Sequence, residues 1–164
     1  MGAFMSELTI THLSGKDTHG CWRLWRLAEP LIYEVGDSGS GRVIVVWKGF
    51  VTDGPSIPQF LWSILPVWAS WSRAGVIHDY LCVLIAANTP HPEAPTRDHA
   101  DRIFFEAMEV LNVGWVQKYA LYWGVRLGTW LNVRTTMVDY NRPQRYASKV
   151  TVTVHLHLRP PHSA

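Results

Sequence analysis

The spacing of apolar and polar residues divides the chain into a strand-rich first half and a helix-rich second half. Residues 22–35 and 42–50 are rich in aliphatic and aromatic side chains that tend to alternate with polar ones. This pattern predicts two β-strands, the first of them ended or bent by Pro30. Between them, the sequence GDSGSG at 36–41 supplies the glycine, aspartate and serine residues that reverse a chain. The pattern therefore predicts a β-hairpin.

In the second half, apolar residues recur every three to four positions, which is the period of an α-helix. The pattern predicts one short and three longer helical segments, at 58–66, 68–88, 97–113 and 115–133. Thr96 precedes the third of them and is a good N-cap, and Asp98 falls in the first turn, where a negative charge is favoured. The segment 68–88 is apolar on most faces, so we expect it to be central and buried.

The end of the chain returns to a strand pattern. Residues 149–160, KVTVTVHLHLRP, alternate Val and Leu with Thr and His, which predicts a third strand pairing with the hairpin. The elements together predict an α+β fold, in which a small antiparallel sheet (the N-terminal hairpin plus the C-terminal strand) packs against about three helices. The length of 164 residues suits a single domain over 1–164. Its motif-bearing core covers about 42–128.

Composition and charge narrow the class of function. Apolar residues make up 48% of the chain and charged residues 17%, which is typical of a folded globular protein. The net charge is +2 and no run of Lys or Arg is long enough for a phosphate-binding stripe, so nucleic acid is not favoured as a partner. Prolines and charged residues interrupt every apolar stretch before the roughly 20 residues that a transmembrane helix needs. We recognise no secretory signal and expect the chain to be made in the cytoplasm.

Cysteine and aromatic residues add two expectations. Cys21 and Cys82 are far apart in the sequence, and we expect two reduced, structurally inert thiols. Aromatic residues recur at helical spacing in the last helical segment, at Trp115, Tyr119, Tyr122, Trp123 and Trp130. Such a series is more often core than a ligand platform. If it is exposed, it would suit packing against another protein or stacking on sugar rings.

The stretch AGVIHDYL at 74–81 carries the strongest candidate chemistry, because His78 and Asp79 interrupt an otherwise apolar helix. On a helix the two side chains point about 100° apart and can line one cleft. Asp101 approaches them if its helix packs antiparallel to theirs. Imidazole nitrogen and carboxylate oxygens suit a divalent ion, with zinc as a candidate, and such an ion activates bound water. Asp53, in the loop TDGPSIP, could add an oxygen ligand or act as the general base.

The same residues also fit other roles, and the sequence leaves the alternatives open. A buried His–Asp pair can be a hydrogen-bonded core element, and Asp101 can form a packing salt bridge with Arg73, Arg97 or Arg102. Asp53 can be only a turn residue, with Ser56 as an N-cap and Pro58 in the first turn. A third alternative is an acid–base site without metal. His155 and His157 share a strand face, but solvent-facing histidines are the more ordinary interpretation.

Four stretches in this order, GFVTDGPSIPQFLW, AGVIHDYL, RDHADRIFFEAM and WGVRLG, resemble the domain-of-unknown-function family 1353, a family of tailed phages and prophages. Pro55 and Cys82 depart from its pattern, in which Ala and Tyr are usual. By this resemblance, residues in the first three stretches align with the motifs of the family. They are Asp53, Gly54, Ser56, Pro58, His78, Asp79, Tyr80, Arg97, Asp101 and Phe104.

The resemblance implies a phage-encoded protein, and it favours a metal-binding or catalytic role for His78, Asp79 and Asp101 over a purely structural one. We predict a metal-dependent hydrolase with a divalent ion on His78, Asp79 and Asp101, and with Asp53, His78 and Asp79 as catalytic residues. Cell-wall peptidoglycan is one candidate substrate. The alternative is a non-enzymatic virion or tail accessory, or a factor that binds a phage or host protein through exposed aromatic residues, with a structural His–Asp–Asp cluster. The expected location is the host cytoplasm or the virion.

Overall fold

Six strands and three helices are present in the computed structural model, which describes residues 1–13, 24–52 and 69–130. The strands are β1 (Ala3–Phe4), β2 (Ile10–His12), β3 (Trp25–Leu27), β4 (Leu31–Glu34), β5 (Val43–Val46) and β6 (Val51–Thr52). The helices are α1 (Ser72–Ala86), α2 (Arg97–Val110) and α3 (Trp115–Trp130). The fold class is α+β, as predicted. The predicted helix at 58–66 and the predicted strand at 149–160 lie outside the described residues.

The predicted hairpin forms between β4 and β5, with Leu31 opposite Val46 and Glu34 opposite Val43. Its turn uses glycines at positive φ, which other residues rarely adopt. The Glu34 carboxylate accepts hydrogen bonds from the N–H groups of Gly39 and Gly41, both at 2.9 Å. These donors lower the pKa of Glu34, so the carboxylate stays charged and holds the turn closed.

The strands form two antiparallel three-stranded sheets, ordered β1-β4-β5 and β2-β3-β6, where the pattern predicted one sheet. The predicted strand 22–35 contributes to both, because the chain turns at Pro30, which has no N–H for a ladder. The other difference comes from the first 13 residues. They supply β1 and β2, which are two and three residues long.

Each of the three longer helices forms within its predicted segment; α1 and α2 end earlier than predicted, and the predicted residues 131–133 of the last segment lie outside the described residues. Thr96 caps α2 as predicted: its backbone is extended and its side chain accepts a hydrogen bond from the His99 N–H. Asp98 lies in the first turn of α2. α1 is buried along nearly its whole length, as its apolar pattern predicted. It ends before Asn88, whose φ of 56° lies in the left-handed region.

The core lies where α1 and α2 meet the two sheets. α1 packs against α2 and contacts β4 and β5 of one sheet and β6 of the other, while α3 packs on α2. The largest fully buried side chains include Trp71, Tyr33, Phe50 and Phe104. Within the described ranges, no helix is both long and apolar enough to span a membrane.

The aromatic series on α3 corrects one prediction. Tyr122 packs on Phe105 with 5.0 Å between ring centroids, as a core residue would. The other four are exposed instead of buried, with exposed fractions of 74% for Trp115, 48% for Tyr119, 65% for Trp123 and 80% for Trp130. The prediction of a core role was wrong for these four. Helical spacing places residues on one side of a helix but does not say whether that side meets the core or solvent.

Glu106 on α2 ties the helices to the hairpin and gives a first prediction. Its Oε1 accepts hydrogen bonds from the buried Tyr33 hydroxyl at 2.7 Å and from the Gly36 N–H at 2.8 Å. Burial and the Glu106 charge raise the pKa of Tyr33, so the hydroxyl remains a donor. We expect Glu106→Ala to strand both donors and lower the free energy of unfolding by about 2–4 kcal/mol in urea titrations. Tyr33→Phe removes only one bond and should cost less; a larger loss would contradict this account.

Candidate functional site

The candidate site is built on a hydrogen bond between α1 and α2. His78 Nε2 lies 2.8 Å from Oδ1 of Asp101. His78 is 9% exposed and Asp101 is completely buried. The Phe104 ring lies beside the imidazole, with 5.1 Å between centroids. The structure thus brings together His78 and Asp101, two of the three predicted metal ligands.

Residues of α3 hold the other oxygen of Asp101. The Thr129 hydroxyl donates a hydrogen bond to Oδ2 at 2.9 Å, and the Arg126 guanidinium lies 3.7 Å from the same oxygen. Arg126 also ion-pairs with Asp98. A salt bridge of Asp101 to Arg73, Arg97 or Arg102 was one of the open alternatives, and the arginine that the structure shows beside Asp101 is Arg126. Arg73 instead pairs with Glu7, and Arg102 with Asp98.

Asp79 turns toward a different element. Its Oδ2 accepts a hydrogen bond from the Thr52 hydroxyl of β6 at 2.7 Å, and Thr52 is fully buried. The adjacent His78 and Asp79 therefore contact α2 and β6 respectively, as a separation of about 100° on a helix allows. Over residues 1–13, 24–52 and 69–130, no three His, Cys, Asp or Glu side chains gather in a metal-binding group. Asp53, Gly54, Ser56 and Pro58 lie outside the described residues, and their roles stay predictions.

Cys82 is a neighbour of His78 that the sequence analysis did not place in the site. It follows one helical turn later, its thiol is free and buried, and Sγ lies 3.7 Å from Nε2 and 4.0 Å from Nδ1 of His78. The spacing of four residues on one helix could have indicated this contact. Cys21, the other cysteine, lies outside the described residues.

The charged groups of the site shift the pKa values of His78 and Cys82. Burial lowers the pKa of His78, but the negative charge of Cys82 and the hydrogen bond to Asp101 outweigh it and raise the pKa to about 10. Burial raises the pKa of Cys82, and His78 and Arg97 outweigh that effect and lower it. The site thus favours a protonated imidazole between negative groups.

The remaining motif residues frame the site. The Tyr80 ring packs edge-on against Trp47 and Phe50, at centroid distances of 4.9 and 5.6 Å. Burial raises the pKa of Tyr80 to about 12, so its hydroxyl stays neutral. Arg97 begins α2 and faces Cys82. Tyr80 therefore supports α1 from the sheet side, while Arg97 adds a positive charge at the other side.

The proton on His78 gives a second prediction. We expect the ring signals of His78 in an NMR titration to stay in the imidazolium position from pH 6 to pH 8, whereas an ordinary histidine titrates near 6.5. Because the folded pKa is raised, the stability that it contributes is complete below about 6.5 and is lost as the pH rises through about 10. Thermal melts of wild type and His78→Gln should therefore converge over that range. A midpoint below 7 for His78 would contradict the raised pKa.

Comparisons with known proteins show similarity to one protein family and to one bacterial protein. The family model "Protein of unknown function (DUF1353)" matches residues 25–125. The chain is also 36% identical over 92 residues to "Uncharacterized protein y4jT" of Sinorhizobium fredii (strain NBRC 101917 / NGR234). That alignment covers 54% of this chain and 25% of the relative, so the chain spans about a quarter of the length of that protein. No solved structure gives a significant match.

Proposed function

The chain belongs to the DUF1353 family of proteins of unknown function, and from the geometry of its motif residues we propose that it is a hydrolase in which His78 transfers protons. One observation carries the proposal, the 2.8 Å hydrogen bond between His78 and the buried Asp101 carboxylate. Asp101 is itself fixed by Thr129 and Arg126. A histidine oriented by a buried carboxylate is the usual arrangement of an acid–base group in catalysis.

The cost of burying these groups supports a chemical role. His78, Asp79 and Asp101 are each 9% exposed or less. Removing charged groups from water costs several kcal/mol per ion, and well-packed apolar residues often replace a buried ion pair without loss of stability. Buried groups with shifted protonation are concentrated at functional sites. Stability alone is therefore a weak reason for this cluster.

The roles follow from the contacts. His78 is the proton donor to the leaving group, because the Asp101 carboxylate favours its protonated form. Asp101 is a positioning residue. A carboxylate of Asp79 or Asp53 is the base that takes a proton from the attacking water. After turnover this proton returns to the imidazole, so the site ends as it began. Cell-wall peptidoglycan is the substrate class we propose to test first.

A divalent ion, with zinc as a candidate, is the alternative form of the proposal: metal binding needs a neutral imidazole, so the ion would take the place of the His78 proton donor. Since Nε2 is hydrogen-bonded to Asp101, an ion would bind His78 through Nδ1, and Asp101 would orient the ring, not bind the ion. Asp79 and Asp53 would supply oxygen ligands, and the ion would activate water. Elemental analysis of the purified wild type should then find about one ion per chain, and His78→Gln should lose it. Equal metal content in the two chains would refute this part.

The hydrolase proposal is tested by assaying purified chain on peptidoglycan and on chromogenic carboxylic and phosphoric esters. His78→Gln and Asp79→Asn should lose about 10²–10⁴-fold in rate, which is the usual contribution of general acid–base catalysis. His12→Gln makes the same chemical change on the exposed strand β2 and should keep full activity. No hydrolysis in any assay, or equal rates for His78→Gln and His12→Gln, would count against the proposal.

The exposed aromatic residues of α3 favour a second candidate function, a non-enzymatic virion or tail accessory or a factor that binds a phage or host protein. For both candidate functions we propose a phage origin and a location in the host cytoplasm or the virion. In this case the His–Asp cluster serves the fold only. A variant that keeps the fold but lacks His78 and Asp101 would then keep full function.

A further inference from the structure

Large apolar side chains form one exposed line along α3. We call this line the α3 stripe; its members are Trp115, Tyr119, Trp123, Leu127 and Trp130. Their exposed fractions run from 48% to 80%. Successive members are three or four residues apart and therefore share one face of the helix. The stripe runs the full 16 residues of α3, a length of about 22 Å between its end residues.

The charged side chains of α3 do not interrupt this face. Lys118 pairs with Glu109 of α2 at 3.0 Å, and Arg126 pairs with Asp98 of α2. Both positive charges are thus drawn toward α2 and matched there. Burying the stripe against an apolar surface therefore does not remove an unpaired charge of α3 from water. Nor does α3 present an unpaired charge that would attract an acidic or basic partner. The chemistry of the stripe suits an equally apolar and aromatic surface.

The order of residues in the stripe is nearly the same in both directions. It reads Trp, Tyr, Trp, Leu, Trp, with Trp123 close to the midpoint between Trp115 and Trp130. In an antiparallel pair of α3 helices, Trp115 of each copy meets Trp130 of the other, and Trp123 meets itself on the two-fold axis. Such a contact is isologous and closes after two subunits. We infer that the α3 stripe is the interface of an antiparallel homodimer.

The area available fits a dimer of modest affinity. An aromatic side chain buries about 150–250 Å² in full, and the four aromatic members and Leu127 are about half or more exposed, so each of the five can bury about 100 Å² more. Five of them give about 500 Å² per copy and about 1,000 Å² in total, the lower limit for a specific interface. We therefore expect a dissociation constant in the micromolar range.

The oligomeric state of the full chain tests the inference. Sedimentation equilibrium from low micromolar to near-millimolar concentration should show a monomer–dimer equilibrium. Trp123→Glu places two negative charges together on the axis and should raise the dissociation constant at least about 30-fold, or about 2 kcal/mol. Gln117→Glu adds the same charge to α3 outside the stripe and should leave the equilibrium unchanged. Circular dichroism melts check that both variants fold.

Cross-linking tests the antiparallel register. A mixture of Trp115→Cys and Trp130→Cys chains should form a disulfide between unlike copies under mild oxidation, whereas neither variant alone should do so. Peptide mapping separates this bond from any formed by Cys21 or Cys82. A full chain that is monomeric at all concentrations overturns the inference, whether residues 131–164 or an unrelated protein covers the stripe. Cross-links of each variant with itself overturn the antiparallel arrangement.

Discussion

Asp101→Ala is expected to lower the free energy of unfolding by about 3–5 kcal/mol. Asp101 is fully buried and accepts from Thr129 while contacting His78. Its removal leaves an imidazole in the core without the carboxylate that favours its proton, and it leaves the Thr129 hydroxyl without this acceptor. Breaking a buried pair on one side is among the most destabilising single changes, because the other partner stays buried.

The matched control lies one turn earlier on the same helix. Asp98 pairs with Arg102 and Arg126, but its side chain is 38% exposed. Asp98→Ala should therefore cost only up to about 1 kcal/mol, as exposed pairs do. Both variants are compared with wild type by urea denaturation at pH 7. If Asp101→Ala loses no more stability than Asp98→Ala, then Asp101 is not the centre of the cluster that we describe.

The second large effect that we expect is a recovery of stability when both members of the His78–Asp101 pair are replaced. Replacing both members of the pair, in the chain with His78→Leu and Asp101→Leu, should restore about 2–4 kcal/mol relative to Asp101→Leu alone. Two apolar side chains can pack against the Phe104 ring, and neither member of the His78–Asp101 pair is left buried without its partner. A double-mutant cycle of four chains, each unfolded in urea, gives the coupling free energy directly.

The recovered chain also separates the two candidate functions. If the double variant folds with near wild-type stability and has lost hydrolysis, chemistry is the reason for the pair. If it folds and keeps full function, the pair serves the fold only. A double variant that is as unstable as Asp101→Leu would show that the contact between α1 and α2 does not accept two leucines, and would contradict the expected recovery.

Local signals were the part of the fold that the sequence predicted well. The hairpin could be predicted because strand alternation and the glycine turn at 36–41 act within a few residues of each other. The Thr96 cap likewise involves only Thr96 and His99. The strands of residues 1–13 could not be predicted, because two or three residues are too few to show a period.

Contacts between distant segments limited the prediction of the site. The approach of His78 to Asp101 could be predicted, since consecutive helices usually pack against each other. The partner of Asp79 could not, because it depends on which strand end lies beneath α1. Arg126 and Thr129 reach Asp98 and Asp101 from 28 residues away, and no pattern marks that distance. The exposure of the α3 stripe was also missed, for the same reason.

The position of α1 against both sheets has a consequence for the order of folding. The two sheets share no strand, and α1 contacts β4, β5 and β6 as well as α2. The hairpin of β4 and β5 can close early because its contacts are local, but strands of both sheets come onto one helix only when α1 docks. We therefore expect α1 to belong to the folding nucleus, and its amide protons to be the slowest to exchange with deuterium. Destabilising changes within α1 should slow refolding, while changes in β1 or β2 should mainly speed unfolding.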